Sequence, residues 1–271
     1  MENFKLQKKI VITGASSGLG KAMTDSLLNL GYEVWGTSRR LDRLPQRHGF
    51  HPVVMDLESD CSIAEAAEQI EREAGSIAVL VNNAGNGVFG SMERFPIEAW
   101  DQQWRVLVRG PYLFLRQLLP LLRKNEIGTV IQVTSLAARF PIPMMGPYSM
   151  GKAALSALTQ SLQIEAENRQ IRFIDLQPGD IQSDFNQAMK ISGTLNPREK
   201  AILQKIEADM RKAPPSTFVS DAVLKIIEGN DSSPRIAVGD LFQSKIAPVL
   251  LRVVPRSWLN WGIRKYYGIL D

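Results

Sequence analysis

The chain has 271 residues, 44% apolar and 22% charged, an ordinary globular composition long enough for one large α/β domain with a substantial core. Its formal net charge of +4 is modest and spread along the sequence, so composition gives no argument for nucleic-acid binding. The single cysteine, Cys61, excludes an internal disulfide and fits a reducing compartment. The opening MENFKLQKK lacks the apolar stretch of a signal peptide, and no apolar run approaches the roughly 18 residues of a bilayer span. A cytoplasmic enzyme is the expectation, and no metal is expected.

In chain order, residues 8–14 (KKIVITG) predict a short strand that runs into Gly14-Ala-Ser16-Ser17-Gly18-Leu19-Gly20 and then a helix. A strand, a glycine turn and a helix N-terminus form a pyrophosphate site, because free N–H groups and the helix dipole both favour an anion. The spacing is Gly-x3-Gly-x-Gly, with Gly20 placed to let the helix pack close to the sheet. The second strand, 31–37, ends in Thr37-Ser38-Arg39-Arg40, with no acid before Asp42. A carboxylate at this tip would hold the adenosine ribose of NAD, whereas a guanidinium suits the 2′-phosphate of NADP. NADP(H) is therefore expected over NAD(H), with Arg39 and Arg40 as its contacts.

The third strand, 51–56, places Asp56 and Leu57 near the adenine. After an amphipathic helix, strand four (77–82) ends in Asn82-Asn83-Ala84-Gly85, where asparagines can hold an irregular strand end beside a cofactor. A long helical run covers 98–123, with a bend expected at Gly110-Pro111. Strand five, 129–134, delivers Ser135, and strand six, 171–177, ends at Pro178-Gly179. This alternation predicts a Rossmann-like α/β fold: a doubly wound parallel sheet with helices on both faces, right-handed crossovers, and ligands at the carboxyl ends of the strands. Arg39, Asp56, Asn82, Ser135, Pro178 and the glycine turn all fall at those ends.

Between strands five and six the sequence SLAARFPIPMMGPYSMGK sets out the chemistry. Tyr148 and Lys152 are four apart on a helix, so a phenol and an ammonium share one face. A free phenol has a pKa of about 10, and a nearby cation is expected to pull it toward the working range. A hydroxyl at Ser135 can hold a carbonyl oxygen while Tyr148 protonates it, which suits carbonyl/alcohol redox chemistry.

These motifs together resemble the short-chain dehydrogenase/reductase family over about residues 8–240: TGASSGLG at 13–20, NNAG at 82–85, Ser135, the Tyr148/Lys152 pair and PGDIQSD at 178–184. The resemblance implies a sheet of about seven strands in order 3-2-1-4-5-6-7, with 235–238 as the seventh strand. It implies Tyr148 as general acid/base, Lys152 as ribose ligand and Ser135 as the positioning hydroxyl. It also implies Thr13 bracing the glycine turn, Asn83, Ala84 and Gly85 on the adenosine side, and Pro178, Gly179, Ile181 and Ser183 at the nicotinamide. One position departs from the family pattern: Leu107 stands where members usually carry an asparagine that holds a helix kink in the proton relay. Slower or altered proton delivery is the expectation. The alternative is a catalytically weak nucleotide-binding regulator of the same fold.

A single domain is expected, with a substrate lid over about 183–215 and a helical extension over about 241–271. Leu136, Phe140, Pro141, Met144, Met145, Phe185 and Met189 are expected as large apolar pocket walls without fixed charge. They favour a lipophilic ketone or secondary alcohol of steroid, retinoid or lipid type. The tail mixes Trp258, Trp261, Tyr266 and Tyr267 with Arg252, Arg256, Arg264 and Lys265. That pattern fits helices packed over the pocket, the preferred reading, with a peripheral membrane contact as the alternative. Tail length and this ending bear a looser resemblance to the steroid-dehydrogenase-like branch. The family resemblance implies a homodimer or homotetramer through the helices at about 98–123 and 149–167.

Overall fold

The structure is a computed structural model describing residues 8–166 and 170–269; the N-terminal residues read for a signal peptide, 1–7, and the chain's last two lie outside the described residues. Seven strands form one parallel sheet: β1 (Lys9–Thr13), β2 (Glu33–Ser38), β3 (Phe50–Val54), β4 (Val79–Asn82), β6 (Gly128–Val133), β7 (Ile171–Pro178) and β9 (Arg235–Val238). Their order is β3-β2-β1-β4-β6-β7-β9, the predicted topology once two short strands outside this sheet are numbered. These are β5 (Val88–Phe89) and β8 (Lys190–Ile191), a two-residue parallel pair with Val88 opposite Lys190. Two residues carry too little alternation to be legible as strands.

The strands are apolar on both faces because helices cover both. Ile10 and Ile12 point to one side, toward Met23 and Leu27 of α1 (Gly18–Asn29) and Val219 and Val223 of α8 (Thr217–Ile227). Val11 points to the other, toward Ile63 and Ile70 of α2 (Asp60–Ala74) and Phe114 and Leu118 of α4 (Gly110–Leu122). The chain runs outward one way through β2 and β3 and the other way from β4, so a crevice opens above the carboxyl ends of β1 and β4.

The predicted helical run at 98–123 is divided. α3 (Ile97–Trp104) passes through a wide π turn, Arg105–Arg109, before α4 starts at Gly110. α5 (Gly146–Glu165) carries Tyr148 and Lys152. The region expected as a lid holds α6 (Phe185–Ala188), β8 and α7 (Pro197–Lys212). A capping box at Asn196 and Glu199 starts α7, and Arg94 Nη2 reaches the buried Glu199 carboxyl at 2.6 Å, fastening this helix to the body. The tail forms α9 (Ala247–Val253) and α10 (Arg256–Tyr266), broken at Pro255.

Candidate active site

The glycine turn is shaped for close backbone approach. Gly14 and Gly18 have φ of +73° and +52°, which side chains other than glycine rarely adopt. A Cβ on Gly20 would lie 2.1 Å from the Gly14 carbonyl oxygen and 2.6 Å from Asn83 Nδ2, so only glycine fits there. Behind the turn, the Thr13 hydroxyl accepts the N–H groups of Asn83 and Ala84, both at 2.9 Å, and Asn83 Nδ2 donates to the Thr13 carbonyl at 2.9 Å. These bonds knit the ends of β1 and β4 at the crevice. Ser17 caps α1 without a side-chain hydrogen bond, and the Asp184 carboxylate accepts the Gly18 N–H at 3.4 Å. An anion already lies where helix N–H groups and dipole favour one, which fits a nucleotide phosphate.

At the tip of β2, Ser38 Oγ donates to Ser16 Oγ at 3.2 Å. Arg40 is engaged in a forked pair with Asp42, at 3.1 and 2.6 Å, which holds the Asp42 carboxyl below the usual range. Arg39 lines the same cavity and forms no ion pair among the described residues. Of the two expected arginines, Arg39 is the one with its guanidinium uncommitted.

The reactive groups converge at the ends of β6 and β7. Ser135 follows β6; its Oγ accepts the Ala137 N–H at 3.0 Å and donates to the Pro178 carbonyl at 3.3 Å. Tyr148 and Lys152 are both buried, one helical turn apart. Lys152 Nζ donates to the Val133 carbonyl at 2.7 Å and lies 5.9 Å from the Tyr148 ring centroid. The expected lowering of the phenol pKa is not what this arrangement gives. Burial pushes Tyr148 up to about 12, because the ring is out of water, and its hydrogen bond with Ser135 opposes the shift. Burial also lowers Lys152 to about 8, opposed by the charge of Asp175.

Asp175, on β7, was not singled out in the sequence. Its Oδ1 accepts the Thr134 hydroxyl, and its Oδ2 accepts Ser156 Oγ at 2.6 Å, Gln177 Nε2 at 2.9 Å and Arg235 Nε at 2.9 Å. Thr134 lies between Val133, whose carbonyl holds Lys152, and Ser135. Ser156 sits one turn beyond Lys152 on α5. One carboxyl thus fastens both backbones that carry the reactive groups.

Leu107, at the centre of the π turn, is 1% exposed and fills the space between Gly85 and Gly151: a Cβ on either glycine would approach its side chain to 3.0 or 2.9 Å. The helix irregularity is therefore present with a hydrocarbon at its centre, held by packing rather than by an amide.

A cavity of about 1200 Å³ joins the nucleotide turn, Arg39, Arg40, Asp56, Leu57, Asn83, Ala84, Gly85, Ser135, Tyr148, Lys152, Pro178, Gly179, Ile181 and Ser183. Thr13 and Gly20 brace it from behind. Leu136, Phe140, Pro141, Met145 and Phe185 form walls, with the Phe185 ring 5.2 Å from that of Tyr148. Met144 and Met189 do not line it, contrary to expectation. Met189 is 9% exposed in a cluster with Phe89, Leu107 and Ile202, and Met144 joins that cluster from a left-handed turn (φ +63°) whose carbonyl accepts the Gly90 N–H. The walls are also not free of charge: Asp180, Asp209, Asp240, Lys190 and Lys212 line the cavity too. Ile206, Asp209, Met210 and Ala213 recur at helical spacing along and just past α7, a signal that could have identified them.

A family model described as short chain dehydrogenase matches residues 8–192, and the chain belongs to the short-chain dehydrogenase/reductase family. It is 30% identical over 271 aligned residues to a 3-ketodihydrosphingosine reductase of Bacteroides thetaiotaomicron, covering 96% of this chain and 98% of the relative. It is 32% identical over 216 residues to an NADPH-dependent 3-dehydrocapnine reductase of Ornithobacterium rhinotracheale, covering 75% of each. Among solved structures, a short-chain dehydrogenase from Streptomyces avermitilis shares the fold at TM-score 0.79 and 23% identity, covering 97% of this chain and 96% of that one.

The Thr13→Val substitution keeps the shape of the side chain but leaves two amides of the β4 end without their acceptor. We expect a loss of about 2 kcal/mol in urea unfolding, the low end of about 1–3 kcal/mol per unsatisfied group because both amides are only part-buried, and weaker nucleotide binding by titration calorimetry.

Proposed function

We propose that this oxidoreductase is an NADPH-dependent reductase of a long-chain ketone, of the kind named for its 3-ketodihydrosphingosine and 3-dehydrocapnine relatives. The observation that carries this reading is the single cavity, which joins the uncommitted Arg39 to Tyr148 and continues to a wall of Leu250, Val254, Leu259 and Ile263 from the tail. Apolar walls of that extent suit a hydrocarbon chain better than a small polar carbonyl. A bound nicotinamide nucleotide supplies the hydride. Ser135 Oγ hydrogen-bonds the substrate oxygen, and Tyr148 Oη gives that oxygen its proton as the carbon accepts the hydride. Lys152, charged below about pH 8, stabilises the phenolate that remains. Exposed Ile97, Trp104, Tyr112 and Ile164 on α3, α4 and α5 support pairing of subunits through these helices; residue 167, within the expected contact range, lies outside the described residues.

NADPH oxidation against a series of ketones of increasing chain length tests the reading. We expect kcat/KM to rise with chain length and to fall about 10²–10⁴-fold in Tyr148→Phe with NADPH binding retained. Tight NADPH binding with no turnover on any ketone would instead favour the weakly catalytic regulator suggested by Leu107.

Cofactor choice is tested separately. Arg39→Ser should raise KM for NADPH about tenfold or more and leave that for NADH nearly unchanged, since a hydrogen bond to a charged group contributes about 1.5–3 kcal/mol.

The pH profile follows from Lys152. Its ammonium is present below about pH 8 and lost as pH rises through that value, so kcat/KM should fall on the alkaline side. Asp175 opposes the lowering, so Asp175→Asn should move this limb to lower pH, whereas a purely structural role for Asp175 would lower the plateau and leave the limb in place.

A further inference from the structure

The first tail helix is apolar on both sides, and the second is amphipathic with a basic outer side. From Leu241 to Val253 the chain is continuously helical, a π turn at Phe242–Ile246 leading into α9. Its inner side gives Ala247 and Leu250 to the cavity. Its outer side presents Leu241, Ile246, Val249 and Val253, which are 73, 44, 55 and 70% exposed. α10 gives Leu259 and Ile263 to the cavity, with the following Tyr267, and turns Arg256, Ser257, Asn260, Arg264 and Lys265 to solvent. Trp258 and Trp261 line it as well yet stand 71% and 55% exposed, which places them at its rim. Eight of the exposed large apolar side chains among the described residues fall within 241–266. A helix that is apolar all round belongs inside a protein or against a membrane, and a contiguous exposed apolar patch marks an interaction surface.

Charge selects the occupant. From 241 to 270 the sequence carries Lys245, Arg252, Arg256, Arg264 and Lys265 and no acidic residue. Lys265 Nζ lies 5.1 Å over the Trp261 ring, the pairing of cation and indole that suits a headgroup layer. A second copy meeting this face about a two-fold axis would bring like charges together. No described helix is long and apolar enough to cross a membrane, so the element can lie on a bilayer but not span it.

We propose that the outer faces of these two helices dock on an anionic lipid surface and hold the rim of the cavity against it. A poorly soluble substrate then passes from the bilayer along the inner faces of the same helices to Tyr148. The docking itself does not depend on which ketone is reduced.

The test is sedimentation of the full chain with vesicles of phosphatidylcholine mixed with phosphatidylglycerol, and with phosphatidylcholine alone. We expect binding to the anionic vesicles that weakens with added salt and falls about tenfold or more in the Val249→Glu/Val253→Glu double variant. Neither valine lines the cavity, so turnover of a short, water-soluble ketone should be retained and reports folding independently. If that variant loses turnover, Arg256→Glu/Arg264→Glu takes its place, with the same loss of binding expected. Equal sedimentation of wild type and variant, or no sedimentation of the wild type, would overturn the proposal. So would a wild-type dimer that the valine variant splits in analytical ultracentrifugation, which would assign the face to a second copy.

Discussion

One buried carboxyl organises the reactive end of this molecule. Asp175 accepts donors from the residue after β6, from α5, β7 and β9 at once, and the segments it fastens are those that place Ser135 and Lys152. Burying a charge is unfavourable unless it is paired and hydrogen-bonded, and here Arg235 and three further donors meet that condition. The same charge opposes the effect of burial on Lys152. Burial disfavours the Lys152 cation, and this carboxyl on β7 opposes that effect.

The electrostatics of the pair Tyr148 and Lys152 differ from what helical spacing alone suggests. Spacing puts the two groups on one face, and the structure has them there. Spacing cannot say that the ammonium would turn to the Val133 carbonyl, nor that both groups would be dry. Desolvation then moves the two pKa values apart in the directions expected of a buried acid and a buried base, the phenol up and the ammonium down. The result is a tyrosine that stays protonated at neutral pH.

The sheet was legible because its strands are short apolar runs, four of them closed by glycine, asparagine or proline at Gly14, Asn82, Pro178 and Gly239, and the first three of these border the crevice. The glycine turn, Thr13, Asn83 and the Ser135, Tyr148 and Lys152 group could be placed from motif order alone. Three features could not. β5 and β8 are two residues each, too short for a period. Asp175 lies inside an apolar strand, where a lone acid gives no hint of its four partners. Met144 and Met189 have the composition of pocket walls, but a left-handed turn and the packing of α7 send them into the core instead. The tail was read as either a cover for the pocket or a membrane contact. The structure gives the first of its helices two apolar faces, and the inner sides of both line the cavity.

Transfer of deuterium tests the central claim most directly. NADPH labelled at C4 of the dihydronicotinamide would be incubated with the enzyme and a long-chain ketone, and the alcohol examined by mass spectrometry and NMR. The account predicts one deuterium on the carbinol carbon, from one face of the labelled ring only, and labelled alcohol formed about 10²–10⁴-fold more slowly with Tyr148→Phe. An alcohol formed without the label, or a tight NADPH complex that yields no alcohol at all, would contradict it.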